Sequence, residues 1–202
     1  GSTIPGQYIL PPLIGRFKQD FADIRIKLVI ADTMKITNMV LEGSLELGVV
    51  GARMKNSKLQ FDRLFDDELV LVLTPDHEWA KLSSISLEKL SDVPFIMREH
   101  GSGTRMMMLE ILERADFDPQ RLNVVAEMGS TDAIRQAIKA KVGVSILSRR
   151  AIADELNFEQ LCQVSIKDLS LIRHFYLVTH KKRSRSPIGQ AFVDFLIENS
   201  DK

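Results

Sequence analysis

Pro94-Phe-Ile-Met-Arg98 leads through Glu99-His100-Gly101-Ser102-Gly103-Thr104-Arg105 into Met106-Met-Met-Leu-Glu-Ile-Leu112. An apolar strand thus enters a glycine and hydroxyl turn and leaves it as a helix, whose inward stripe is Met108, Ile111, Leu112 and Ala115. Gly101 and Gly103 free the backbone for close approach, and Ser102 and Thr104 can satisfy the first N–H groups of the helix. Two readings of the turn stand open. It caps a helix and nothing more, or its unpaired N–H groups hold a small anion. Arg105 can pair with a neighbouring carboxylate or with a ligand, and His100 sits at the rim of the turn.

The same device recurs along the chain. Gly129-Ser130-Thr131-Asp132 opens a helix with Ile134, Ala137 and Ile138 inward, Asp32-Thr33 opens one with Ile36, Met39 and Val40 inward, and Ser2-Thr3 stands near the start. Hydroxylated turns after strands lie at the carboxyl ends of an open α/β sheet, where ligands bind.

Outward from these turns, helices and strands alternate. A first amphipathic helix is predicted over 8–21, with Pro11 and Pro12 in its first turn, where a missing N–H costs little. Ile24 to Ala31 reads as a buried strand. The short helix from Thr33 to Leu41 is closed by Gly43, and Leu45 to Ala52 follows as a second buried strand whose glycines suit close packing or ligand approach. Strand, helix and strand in this order predict a right-handed parallel crossover. Glu68 to Thr74 is a central strand, Ser83 to Asp92 a short helix, and Asn123 to Met128 another strand. Val142 to Leu147 follows as a strand, then a brief helix capped by Ser148. Strands at Leu161 to Ile166 and His174 to Thr179 and a last helix from Pro187 to Glu198 complete an α/β chain with parallel sheets flanked by helices.

Composition narrows the function. Lys and Arg number 27 and Asp and Glu 27, so the chain carries no net charge to attract nucleic acid or an acidic membrane. With one cysteine, Cys162, and four histidines it has neither a disulfide framework nor zinc spacing, which predicts a reducing, cytoplasmic setting. Cys162 itself reads as a small buried hydrophobe. No run approaches the ~18–20 apolar residues of a membrane span. Gly1 to Gly6 and Gly43 to Gly48 have the glycine spacing of a phosphate loop, but Gln7 and Val49 stand where its lysine belongs. No nucleophile elbow, zinc-protease motif or poised Cys/His pair occurs, so neither catalysis nor a cofactor or metal is expected. The basic run from His180 to Arg185 reads as a solvated loop.

Several blocks together resemble the effector-binding domain of LysR-type transcriptional regulators. They are Thr3-Ile-Pro-Gly-Gln-Tyr-Ile-Leu-Pro11, Leu41-Glu-Gly-Ser-Leu-Glu-Leu-Gly-Val-Val-Gly51, Glu68-Leu-Val-Leu-Val-Leu-Thr-Pro-Asp-His-Glu-Trp79, the turn at 101–105, and Gly129-Ser-Thr-Asp-Ala-Ile-Arg-Gln-Ala-Ile-Lys-Ala-Lys-Val-Gly-Val-Ser145. The resemblance covers nearly the whole chain and implies two Rossmann-like subdomains joined by two crossing strands, with a ligand cleft between them. Subdomain I would comprise 1–73 and 176–202, and subdomain II 74–175. The family's effector contacts would fall on Ser2, Thr3, Thr33, Gly51, His100, Gly101, Ser102, Gly103, Thr104, Ser130 and Thr131. The implied function is sensing a small anionic metabolite or inorganic oxyanion so as to modulate DNA binding. The family's winged helix-turn-helix is absent from this chain, so DNA would be read only by that segment. A homodimer through helices 8–21 and 131–141, with exposed apolar residues such as Ile9, and a higher oligomer in the full-length protein are implied as partners. A transporter's solute-binding protein, or an enzyme on the same fold, is the alternative.

Overall fold

The computed structural model describes residues 1–200; Asp201 and Lys202, which the expected subdomain I includes, lie outside the described residues. In chain order the elements are α1 (Leu10–Asp20), α2 (Thr33–Glu42), β1 (Leu47–Val50), β2 (Leu59–Leu73), β3 (Ser84–Ile85), β4 (Pro94–Arg98) and α3 (Gly103–Arg114). There follow β5 (Asn123–Met128), α4 (Thr131–Lys139), β6 (Ser145–Ser148), α5 (Ala153–Asn157), β7 (Cys162–Ile166), β8 (Ile172–His180) and α6 (Pro187–Glu198). The chain divides into two compact units: unit 1 holds Gly1–Asp66 and the chain from His174 onward, and unit 2 holds Asp67–Arg173. β2 and β8 each contain one passage from unit to unit, upstream of the expected boundaries at 73/74 and 175/176.

In unit 1 the first helix begins earlier than its apolar spacing predicts. Helical winding runs from residue 3, and Pro5–Ile9 forms a wider π turn in which the Leu10 N–H donates to the Pro5 carbonyl. Pro11 and Pro12 stand in the first turn of α1 as expected, directly after this π turn. They cannot donate to the carbonyls of Gln7 and Tyr8, and a wider turn over those residues accommodates the missing bonds. The early start also rotates Ile9 inward to 7% exposure, contrary to its expected place on the outer face. Phe17 is buried as well, with its ring 4.9 Å from Phe192 and 5.3 Å from Phe195 on α6.

Two strand expectations in this unit are corrected. Residues 24–31 are extended but join no ladder among the described residues beyond a parallel bridge between Ser2 and Ala31. β-branched residues favour extended backbone, yet a strand needs a partner to pair its peptide groups, and alternate residues here stay exposed. Second, β1 takes its ladder partner from β8, antiparallel, from Leu47 opposite Thr179 to Val50 opposite Tyr176, and no ladder joins it to residues 24–31 among the described residues. α2 forms as expected: the Asp32 carboxylate accepts from the Lys35 N–H at 2.8 Å, and Gly43 closes the helix at φ +89°, a conformation that favours glycine. Gly48 brings β1 against α2 so closely that a Cβ there would stand 2.7 Å from Ile36 Cγ2.

Unit 2 is wound on both faces. β2 pairs antiparallel with β6 and β7, β3 pairs parallel with β7, and β4 pairs parallel with β5. Its sheets are mixed, not parallel throughout. Successive side chains of β2 point to opposite faces. Leu69, Leu71 and Leu73 join Phe95, Met97 and Ile146 beneath Met108, Ile111 and Leu112 of α3. Val70 and Val72 join Ile96 and Leu147 beneath Ile134, Ala137 and Ile138 of α4. Both faces are covered, which explains why the run from Leu69 to Leu73 is apolar without alternation. The helix predicted over Ser83 to Asp92 is instead β3 followed by a 3-10 turn at Leu87–Asp92.

Candidate functional site

Each unit presents hydroxyl-bearing helix starts, and the chemistry is local to each. In unit 1, Thr33 is the first residue of α2 and is buried; its Oγ1 accepts from the Gly51 N–H at 3.3 Å. These two expected contacts are thus brought together, at the end of β1 and the start of α2. Ser2 is buried, and its N–H donates to the Val49 carbonyl at 2.7 Å. Thr3 lies half-buried in the first helical turn. Arg53, two residues beyond Gly51, holds its guanidinium 5.1 Å from the centre of the Tyr176 ring.

In unit 2 the turn at 100–105 caps α3. Ser102 Oγ accepts from the Arg105 N–H at 3.4 Å, and Ser102, Gly103 and Thr104 are buried, while Gly101 is half-buried and His100 exposed. Ser130 caps α4 in the same way, its Oγ accepting from the Ala133 N–H at 3.3 Å, and Thr131 next to it is buried. Arg105 pairs with Glu127 at 2.6 Å and donates to the Arg98 carbonyl at 2.9 Å.

Two arginines that the turn chemistry did not single out stand behind these hydroxyls. Arg98, at the end of β4, is 3% exposed, donates from Nη1 to Thr131 Oγ1 at 2.8 Å, and holds Glu99 through Nε and Nη2, each at 2.7 Å. Arg173, at the start of β8, is 1% exposed, donates from Nε to Asp67 at 2.7 Å and from Nη1 to Thr104 Oγ1 at 3.0 Å. Burial pushes the Arg173 pKa down and the charge of Arg98 adds to that, with Asp67 opposing. A signal existed in each case, since an arginine interrupting an apolar strand run must bring a partner with it.

Asp67 also accepts from Ser148 Oγ at 2.8 Å, and Arg150 Nε lies 3.5 Å away. Ser148 therefore does not cap the following helical turn, which has no side-chain cap bond. A buried carboxylate takes the hydroxyl because an unpaired charge there costs more than an uncapped 3-10 turn.

Other candidates reduce to structure. Cys162 is half-buried with Sγ 3.5 Å from the Thr74 carbonyl, and burial pushes its thiol pKa up, away from reactivity. Arg183 of the basic run donates to the Val40 carbonyl at 3.3 Å, at the end of α2. Among the described residues no group of three His, Cys, Asp or Glu could hold a metal, and no helix is long and apolar enough to cross a membrane.

Comparison with known proteins bears on the family of the chain. The family model described as the LysR substrate binding domain matches residues 2–201. A probable RuBisCO transcriptional regulator of Cyanidium caldarium is 32% identical over 95% of this chain and 61% of its own length. The HTH-type transcriptional activator CmpR of Synechocystis is 31% identical over 97% of this chain and 64% of its own. The chain thus spans less than two thirds of the length of these curated relatives. Among solved structures, the regulatory domain of CcmR from Synechocystis PCC6803, in complex with 2-PG, superposes with a TM-score of 0.88 at 29% identity, covering 98% of this chain and 94% of that one.

Proposed function

The chain belongs to the LysR substrate-binding domain family, and from that premise we propose that it senses a small anionic metabolite or oxyanion for a transcription regulator. The two compact units are taken as its subdomains. The ligand is held by the polar helix starts of both: Ser2, Thr3, Thr33 and Gly51 from unit 1, and 100–104 with Ser130 and Thr131 from unit 2. Affinity that differs between two arrangements of the subdomains would carry the signal to a DNA-binding segment outside this chain. No turnover is part of this role, and the setting is the cytoplasm, where a regulator meets both metabolite and DNA.

One observation carries the reading. Helix N-termini that attract negative charge coincide with buried hydroxyls in both units, at Thr33 and at Ser102, Thr104 and Thr131. The 2-PG complex of the similar CcmR domain supports it. Calorimetric titration with 2-PG, inorganic phosphate and inorganic sulfate tests it. Ser102→Ala combined with Thr104→Ala is expected to weaken the best of these by about tenfold or more, since hydrogen bonds to a charged group contribute ~1.5–3 kcal/mol each. Unchanged affinity would remove the 100–105 turn from the site.

The reading extends to a homodimer through helices 8–21 and 131–141. Exposed apolar side chains at Phe21 and Ile30 of unit 1 and at Val124 and Val125 on β5 of unit 2 support it, in place of the buried Ile9. Val125→Glu is expected to shift the chain to monomer in sedimentation velocity, and a variant that sediments like wild type would place the interface elsewhere.

A further inference from the structure

The hydroxyls at the helix starts differ from those of Thr37, Ser145 and Ser148, which are equally buried, in the direction of their hydrogen bonds. A threonine or serine hydroxyl has one hydrogen to donate and two lone pairs that accept. Away from the site three buried hydroxyls give their hydrogen to a protein acceptor: Ser145 donates to the Ile96 carbonyl at 2.7 Å, Ser148 to Asp67 at 2.8 Å, and Thr37 to the Thr33 carbonyl at 2.7 Å, whereas Ser91 Oγ has no partner among the described residues. At the site the pattern is reversed. Thr33 accepts from the Gly51 N–H, Ser102 from the Arg105 N–H, Thr104 from Arg173 and Thr131 from Arg98. Among the described residues none of these four donates its own hydrogen to a protein acceptor, although all four are at least nine-tenths buried.

For Thr104 and Thr131 the cause is a guanidinium, which has five donors and no acceptor. A neutral amide in its place could accept the hydroxyl hydrogen and turn the group around. An arginine cannot, so the threonine oxygen must receive and its O–H must point elsewhere. Both arginines are themselves fixed, Arg98 by the two-point pair with Glu99 and Arg173 by Asp67.

We infer that Arg98 and Arg173 set the hydrogen-bond polarity of the site, locking Thr131 and Thr104 as donors so that it selects ligands presenting clustered acceptor oxygens. This inference rests on the reading of these helix starts as the effector site and goes further by assigning the selectivity to two residues placed behind the contacts. They are positioning residues, which act through the threonines. A carboxylate, phosphate or sulfate receives every hydrogen the site offers, whereas an amine of the same shape can use only the one lone pair left on each threonine oxygen and leaves the O–H hydrogens unmatched.

A double-mutant cycle between Arg98 and Thr131 tests the assignment, with 2-PG, inorganic phosphate and inorganic sulfate as probes in calorimetry and thermal melting to confirm that each variant is folded. Arg98→Met and Thr131→Val are each expected to weaken the best-bound probe by about tenfold. The double variant should be no more than about tenfold weaker than wild type, because each change removes the same oriented hydrogen. Arg98→Lys, which keeps a donor that cannot accept, should recover most of the affinity. Thr104→Val provides the second reading and should weaken the same probe without touching Arg98. Losses that multiply to about a hundredfold in the double variant, or wild-type affinity in a folded Arg98→Met, would overturn the polarity assignment while leaving the effector site standing. Failure of wild type to bind any of the three probes would remove the anion site itself, and the inference with it.

Discussion

Asp67→Ala is expected to destabilise the chain by about 3–5 kcal/mol, the range for removing one partner of a buried ion pair. Asp67 is buried at a passage of the chain from unit to unit, bonded to Arg173 at 2.7 Å and to Ser148 at 2.8 Å. The cost lies less in the lost bonds than in the cation left behind. Arg173 stays charged under all ordinary conditions, so without Asp67 a guanidinium remains in the interior with its nearest countercharge gone. Asp67→Asn, which keeps the shape and one acceptor, should fall between wild type and the alanine variant. Replacing the pair together, Asp67→Leu with Arg173→Met, should recover much of the loss, because no charge then needs compensation. Urea unfolding reads all three. At about 2–4 °C per kcal/mol for a chain of this size, the alanine variant should also melt roughly 6–20 °C lower. A loss below about 1 kcal/mol would mean that water or another group compensates Arg173.

Phe95→Ala should cost a similar amount, about 3–5 kcal/mol, for a different reason. Phe95 is fully buried in the core between the β2 leucines and α3, and it lies in β4, the strand that carries Arg98 and runs into the 100–105 turn. Deleting the ring removes its apolar contacts and leaves a cavity that a strand paired with β5 on one side and bridged to Val144 on the other cannot collapse to fill. Phe95→Leu should lose less, on the order of 1 kcal/mol, because most of the volume is kept. Equal losses for leucine and alanine would show that the ring's shape, rather than its volume, holds β4 in place.

Most of what was legible beforehand is controlled over short distances along the chain. The caps Asp32, Ser102 and Ser130 each bond a backbone N–H three residues on, so their residue types announce helix starts without reference to any other element. α6 begins where its sequence places it for the same reason, with Ser186 accepting from the Gly189 N–H at 3.1 Å. The family resemblance was equally readable, because it resides in the order of such local blocks. What failed was decided by distant partners. The direction of β2 depends on Leu71 lying opposite Ile146 and Val164, and an apolar run carries no information about which way its neighbours point. Ile24 to Ala31 has the composition of a strand but finds no partner to make it one among the described residues. Ser148 has the residue type of a cap, but Asp67 takes its hydroxyl from 81 residues away.

The candidate site divides in the same way. By itself the sequence determined where helices begin and which hydroxyls stand at their starts, because capping is chemistry between residues three apart. Only the tertiary structure decided which way those hydroxyls donate. That depends on Arg98 reaching Thr131 across 33 positions and Arg173 reaching Thr104 across 69, and on the burial that leaves a guanidinium no alternative but a fixed partner.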